Sequence, residues 1–163
     1  HHIRVGVNSR LDTIQAAILL PKLEIFEEEI KFRQQIAHRY NELFTLTKSD
    51  ADTSTTNQAS IIATPWIAPN STSVYAQYTI RVNDRSEFQN KLSEAGIPTV
   101  VHYPIPLNKQ PAVADDTVRL TVGDKIAEQV LSLPMHPYLN DATVKQIVEA
   151  ITTKTKMQKN VSA

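Results

Sequence analysis

Residues 74–82 read VYAQYTIRV. Val74, Ala76, Tyr78, Ile80 and Val82 alternate with Tyr75, Gln77, Thr79 and Arg81. A period of two is that of a strand with one buried face and one open face. A helix follows it. Asp84 or Ser86 starts that helix, Phe88, Leu92 and Ala95 form its apolar positions, and Gly96 fits its C-terminal stop. A strand feeding a helix makes the fold class α/β, and the flanking segments extend the pattern.

Downstream, IPTVVHY (97–103) reads as a second strand and PIPLNKQPA (104–112) as a proline-punctuated loop. Residues 123–130 form a short helix and LSLPM (131–135) a short strand. Asn140 or Asp141 caps a last helix with Val144, Ile147, Val148 and Ile151 at helical spacing. Upstream, PNSTS (69–73) is a turn. IIATPWI (61–67) is a short edge strand, because Pro65 cannot donate to a ladder. KSDADTSTTNQAS (48–60) is a polar loop.

Before that loop lies a long helix. Leu11, Ile14 and Ile18 recur at three and four, and the pattern resumes at Leu23, Phe26, Ile30, Ala37, Tyr40 and Phe44. Asn8 or Ser9 can cap its start, and Pro21 should kink or split it. Glu27, Glu28, Glu29, Lys31 and Arg33 give its second half a solvated face. The expected organisation is a Pro21-kinked helix over 1–47, a small α/β domain of about three strands over 48–154, and a frayed tail over 155–163.

Composition narrows the chemistry. The 163 residues carry 17 basic and 17 acidic side chains, so no bulk charge draws the chain to nucleic acid or anionic lipid. There are no cysteines, which removes disulfides and thiolate chemistry and suits a reducing compartment. The five histidines are scattered, with no metal-ligand spacing, so no metal site is expected. With only three glycines, Gly6, Gly96 and Gly123, no Gly-rich phosphate loop is available. No apolar run approaches the ~20 residues of a membrane span. His1-His2 can be the end of a purification tag.

No self-contained active site emerges. Asp115-Asp116 sits in a loop and reads as solvated, and His136 in LPMHP reads as structural. Two loci remain. Asn8-Ser9-Arg10 at a helix start can favour an anion, or be a cap beside a surface arginine. His102-Tyr103, at a strand end running into a proline-fixed loop, can contact a ligand, or be a partly buried pair.

GVNSRLDTIQAAILLPKL (6–23), YAQYTIRV (75–82), EAGIPTVVHYPIPLNKQPA (94–112) and AEQVLSLPMHPYL (127–139) together resemble the DegT/DnrJ/EryC1/StrS family of pyridoxal-phosphate-dependent sugar aminotransferases. The wording is most similar to the branch that aminates 3-keto nucleotide sugars of the UDP-N-acetylglucosaminuronate type. The resemblance implies the C-terminal small domain of a fold-type I aminotransferase. It further implies that the Schiff-base lysine belongs to an N-terminal large domain absent here, so no catalytic residue is assigned and the chain alone is expected to be inactive. By the same resemblance, Asn8 and Arg10 bind cofactor phosphate across a homodimer interface, Arg10 also meets substrate anions, and His102 and Tyr103 contact the sugar. Asn108 stands where the family often has His after PL, which removes any contact made by that His. The resemblance implies a UDP-sugar substrate, an amino donor such as glutamate, a cytoplasmic place and surface-polysaccharide synthesis. The alternative is a stand-alone nucleotide-sugar binding or dimerisation module.

Overall fold

The computed structural model describes residues 3–6, 10–49 and 61–152. Helix α1 (Thr13–Ser49) leads to strand β1 (Ile61–Ala63), strand β2 (Tyr78–Val82) and helix α2 (Arg85–Glu94). A 3-10 turn at Leu107–Lys109 precedes helix α3 (Thr121–Gln129), strand β3 (Val130–Leu133) and helix α4 (Asp141–Thr152). Among the described residues the strands form one antiparallel sheet in the order β1-β2-β3. Tyr78, Ile80 and Val82 of β2 point to one face with Leu131 and Leu133 of β3. Against them pack Phe88 and Leu92 of α2, Val144, Ile147, Val148 and Ile151 of α4, and Ile36, Ala37, Tyr40 and Phe44 of α1. The fold is a helical layer on one face of a small sheet.

Local chemistry explains where the elements begin and end. Asp84 caps α2, its carboxylate accepting from the Glu87 amide at 2.9 Å. Gly96 ends it at φ +72°, with Gly96 N donating to Ser93 O and Ile97 N to Leu92 O, a Schellman closure sealed by buried Leu92 and Ile97. Replacing Gly96 with alanine should cost about 1 kcal/mol, since an added Cβ strains the left-handed backbone although it meets no atom within 4 Å. Asp84→Ala should cost a similar ~1 kcal/mol. Urea titration of each variant checks both. Asn140 Oδ1 accepts from Thr143 N at 2.8 Å and caps α4.

Several expectations for α1 are corrected. The helix cap is Asp12, whose Oδ1 accepts from Gln15 N at 2.8 Å, and α1 starts at Thr13. Asn8 and Ser9 lie outside the described residues. Of the kink or split expected at Pro21, the split is absent: α1 runs through it, because proline removes a single donor and the Ala and Leu residues beside it favour helix. The helix also runs to Ser49, into the segment read as a loop, whose residues 50–60 lie outside the described residues, as does the tail from 155.

The strand at 74–82 is shorter than its alternation. Tyr75 adopts φ +44°, its amide donates to Ser73 Oγ at 3.1 Å, and its carbonyl accepts from Arg33 at 3.2 Å. Those bonds take it out of a ladder. The inward residue is therefore Tyr75, packed against the core, while Val74 and Ala76 are exposed. Residues 97–103 form no strand. They make one bridge, Val100 to Ser132, between Pro98 and Pro104, each of which lacks a donor.

Candidate functional site

Arg33 ties α1 to the rest of the domain, donating to the carbonyls of Tyr75 (3.2 Å) and Met135 (3.4 Å). Tyr40 adds a bond from its hydroxyl to Pro134 O (3.0 Å), and Tyr138 one to Glu29 (2.7 Å). The segments before β2 and after β3 are thus held open beside the helix. Between them and the 98–102 strand-like segment lies an open cleft of about 230 Å³. Gln77 and His102 are among its polar lining residues, and Val100, Pro134 and Met135 among its apolar ones. Ser132 also borders it, but its hydroxyl is engaged with Thr79 Oγ1 at 2.9 Å. Among the described residues, neither the Gln77 amide nor the His102 ring is hydrogen-bonded to another group. The Tyr103 ring, 69% exposed, meets His102 edge-on at 5.8 Å between centroids.

Arg10 is placed elsewhere. It is exposed and forms no ion pair among the described residues. Glu29 is the first α1 side chain tied to the small domain by a hydrogen bond, sixteen residues into the helix from Thr13. At 1.5 Å per residue the helix start stands roughly 24 Å beyond that tie. Leu11, Ile14, Ile18, Leu19, Leu20, Leu23 and Phe26 on the way are all exposed. The structure therefore does not bring Arg10 and the His102-Tyr103 pair together.

A free guanidinium fits a phosphate. The helix dipole adds less than the sequence implied, because the Asp12 carboxylate already occupies the α1 N-terminus. Any contribution from Asn8 lies outside the described residues.

The other candidates are structural. The Asp115 carboxylate accepts from both the hydroxyl (2.6 Å) and the amide (2.9 Å) of Thr117, and these bonds hold it below the usual carboxylate range. His136 Nδ1 accepts from Tyr138 N at 3.3 Å within a turn. The Asn108 side-chain amide donates to Val118 O and its backbone carbonyl accepts from Asp115 N, so it organises the 106–118 loop. Gln77 is the residue the sequence did not flag: its place on the open face of an alternating strand looks like solvation. Among the described residues no group of His, Asp and Glu could hold a metal ion, and no helix is long and apolar enough to cross a membrane.

Comparisons with known proteins agree with this architecture. The chain is 60% identical over 152 residues to the UDP-2-acetamido-2-deoxy-3-oxo-D-glucuronate aminotransferase of Pseudomonas aeruginosa, covering 93% of this chain and 39% of that protein. It is 33% identical over 147 residues to the dTDP-3-amino-3,6-dideoxy-alpha-D-galactopyranose transaminase of Aneurinibacillus thermoaerophilus, covering 90% of this chain and 37% of that one. The crystal structure of a DegT DnrJ EryC1 StrS aminotransferase from Brucella abortus superposes with a TM-score of 0.70 at 37% identity, over 93% of this chain and 38% of that one. The chain thus spans less than two fifths of the length of these relatives. Members of this family are pyridoxal-phosphate-dependent sugar aminotransferases. With residues 1–152 matching its family model, the chain belongs to the DegT/DnrJ/EryC1/StrS aminotransferase family.

Proposed function

We propose that this chain is the small-domain part of a homodimeric, pyridoxal-phosphate-dependent enzyme that moves an amino group from glutamate to a 3-keto UDP-sugar. The product serves surface-polysaccharide synthesis in the cytoplasm. Residues 1–47 link to a large N-terminal domain that carries the Schiff-base lysine, and residues 48–154 form the small domain, onto which the second half of α1 packs.

The observation that carries this reading is the separation of the two polar loci. Arg10 precedes an uncovered apolar half-helix whose start stands roughly 24 Å from the Glu29 tie, while His102 and Tyr103 lie on the small domain. Such an arrangement makes sense when Arg10 enters a site built by other parts of the assembly. There Arg10 and Asn8 would hold the cofactor phosphate, with Arg10 also meeting substrate anions. His102 and Tyr103 would orient the sugar. The bound cofactor supplies the electron sink of transamination.

The test is a pair of half-reactions in the whole protein. Arg10→Ala should raise the cofactor Kd by about ten- to a hundredfold, the loss of a charge-assisted phosphate contact of about 1.5–3 kcal/mol. His102→Ala should slow the sugar half-reaction at least tenfold and leave the glutamate half unchanged. Equal loss in both halves from His102→Ala would place that ring outside the sugar site and contradict the reading.

A further inference from the structure

We propose that the cleft between Gln77 and His102 takes the acetamido group of the nucleotide sugar, with Gln77 as the residue that reads it. This rests on the function proposed above and deepens it. The cleft has no Lys, Arg, Asp or Glu in its lining, so it is built for neither a phosphate nor a carboxylate. Its volume of about 230 Å³ is below the roughly 300–1,000 Å³ of pockets that enclose whole ligands, which suits one substituent of a larger molecule.

The chemistry of the walls matches that substituent. A side-chain amide offers donors and an acceptor together, and an acetamido group offers the same in reverse. The His102 ring adds a second polar partner. The Ser132 hydroxyl is spent on Thr79, so the ligand meets Gln77 and His102 rather than a hydroxyl. Val100, Pro134 and Met135 give the methyl group an apolar seat. A hydroxyl in place of the acetamido group would fill neither the seat nor the amide pairing. The cleft is also held in shape: Arg33 and Tyr40 fix the carbonyls of Met135 and Pro134 on its wall.

The experiment compares UDP-N-acetylglucosamine with UDP-glucose, which differ at this group alone, by calorimetry on the whole protein with its cofactor bound. Wild type should favour the acetamido sugar. Gln77→Ala should remove about three- to tenfold of that preference, the worth of a neutral hydrogen bond, and leave UDP-glucose affinity unchanged. Gln77 is exposed, and circular dichroism checks that the variant is folded. In wild type, the Gln77 side-chain amide resonances should shift with UDP-N-acetylglucosamine and not with UDP-glucose. An unchanged preference in Gln77→Ala, or an unmoved Gln77 amide, overturns the inference while leaving the enzyme reading intact if both sugars bind. Binding of neither sugar overturns the inference together with the function it rests on.

Discussion

Replacing Tyr40 with alanine should lower the stability of the chain by about 3–5 kcal/mol, the usual cost of truncating a buried aromatic ring. Tyr40 is fully buried where α1 meets the sheet. Its ring stacks on Tyr78 at 4.7 Å and on Phe44 at 6.1 Å. Tyr40→Phe separates the contributions. It keeps the stack and deletes the bond to Pro134 O, so it should cost only about 1 kcal/mol. Urea denaturation should show both as shifts in midpoint at constant m-value.

The same cluster gives a pH dependence. Burial holds the phenol of Tyr40 above its ordinary value, and burial followed by the neighbouring Tyr75 and Tyr40 does so for Tyr78. The unfolded chain therefore releases these protons first, near pH 10. The stability they contribute is complete below that pH and is lost as pH rises further. Tyr78→Phe should make the alkaline loss shallower.

The second large effect lies in the uncovered half of α1. Leu20→Glu combined with Leu23→Glu should turn a self-associating chain into a monomer and stop the whole protein from assembling. Leu20 and Leu23 are 64% and 63% exposed, three residues apart on one face. Ile14, Ile18, Leu19 and Phe26 continue the apolar surface around the helix. A helix with apolar residues around most of its surface, interrupted here by Gln15, Lys22 and Glu24, is one that other protein commonly covers, and a patch of this kind drives association when bare. Burying each leucine is worth about 1.5–3 kcal/mol, and two carboxylates in its place add an uncompensated desolvation cost. Sedimentation of the wild-type chain should show dimers or larger species. A clean monomer at high concentration contradicts the covering role.

Much of the fold is legible in the sequence where one local rule acts alone. Asp84 and Gly96 bracket α2 because a capping carboxylate and a left-handed glycine have few competing uses. The four apolar positions of α4 all go inward. Legibility fails where rules compete. Asn8 and Ser9 read as the capping candidates at the start of α1, and the cap is Asp12, nearer the helical run. Alternation over 74–82 is real, yet the Ser73 hydroxyl and Arg33 take the backbone of Tyr75, which no period-two count registers. The 97–103 segment has a strand's apolar content, but its flanking prolines limit it to the Val100 bridge. At the candidate site, the place of His102 in the cleft is legible because a ring at a sheet edge stands out. Gln77 is not, because its neighbour in the cleft is set by tertiary packing. Arg10 is legible only as an exposed arginine beside the α1 start, and among the described residues it has no ion-pair partner.

The most direct measurement is to reduce the whole protein with borohydride in the presence of pyridoxal phosphate and map the labelled lysine by peptide mass spectrometry. One stoichiometric label is expected, on a lysine outside these 163 residues. A label on a lysine within the chain would show that the chain holds the catalytic lysine itself, and would contradict its assignment as the partner half of the active site.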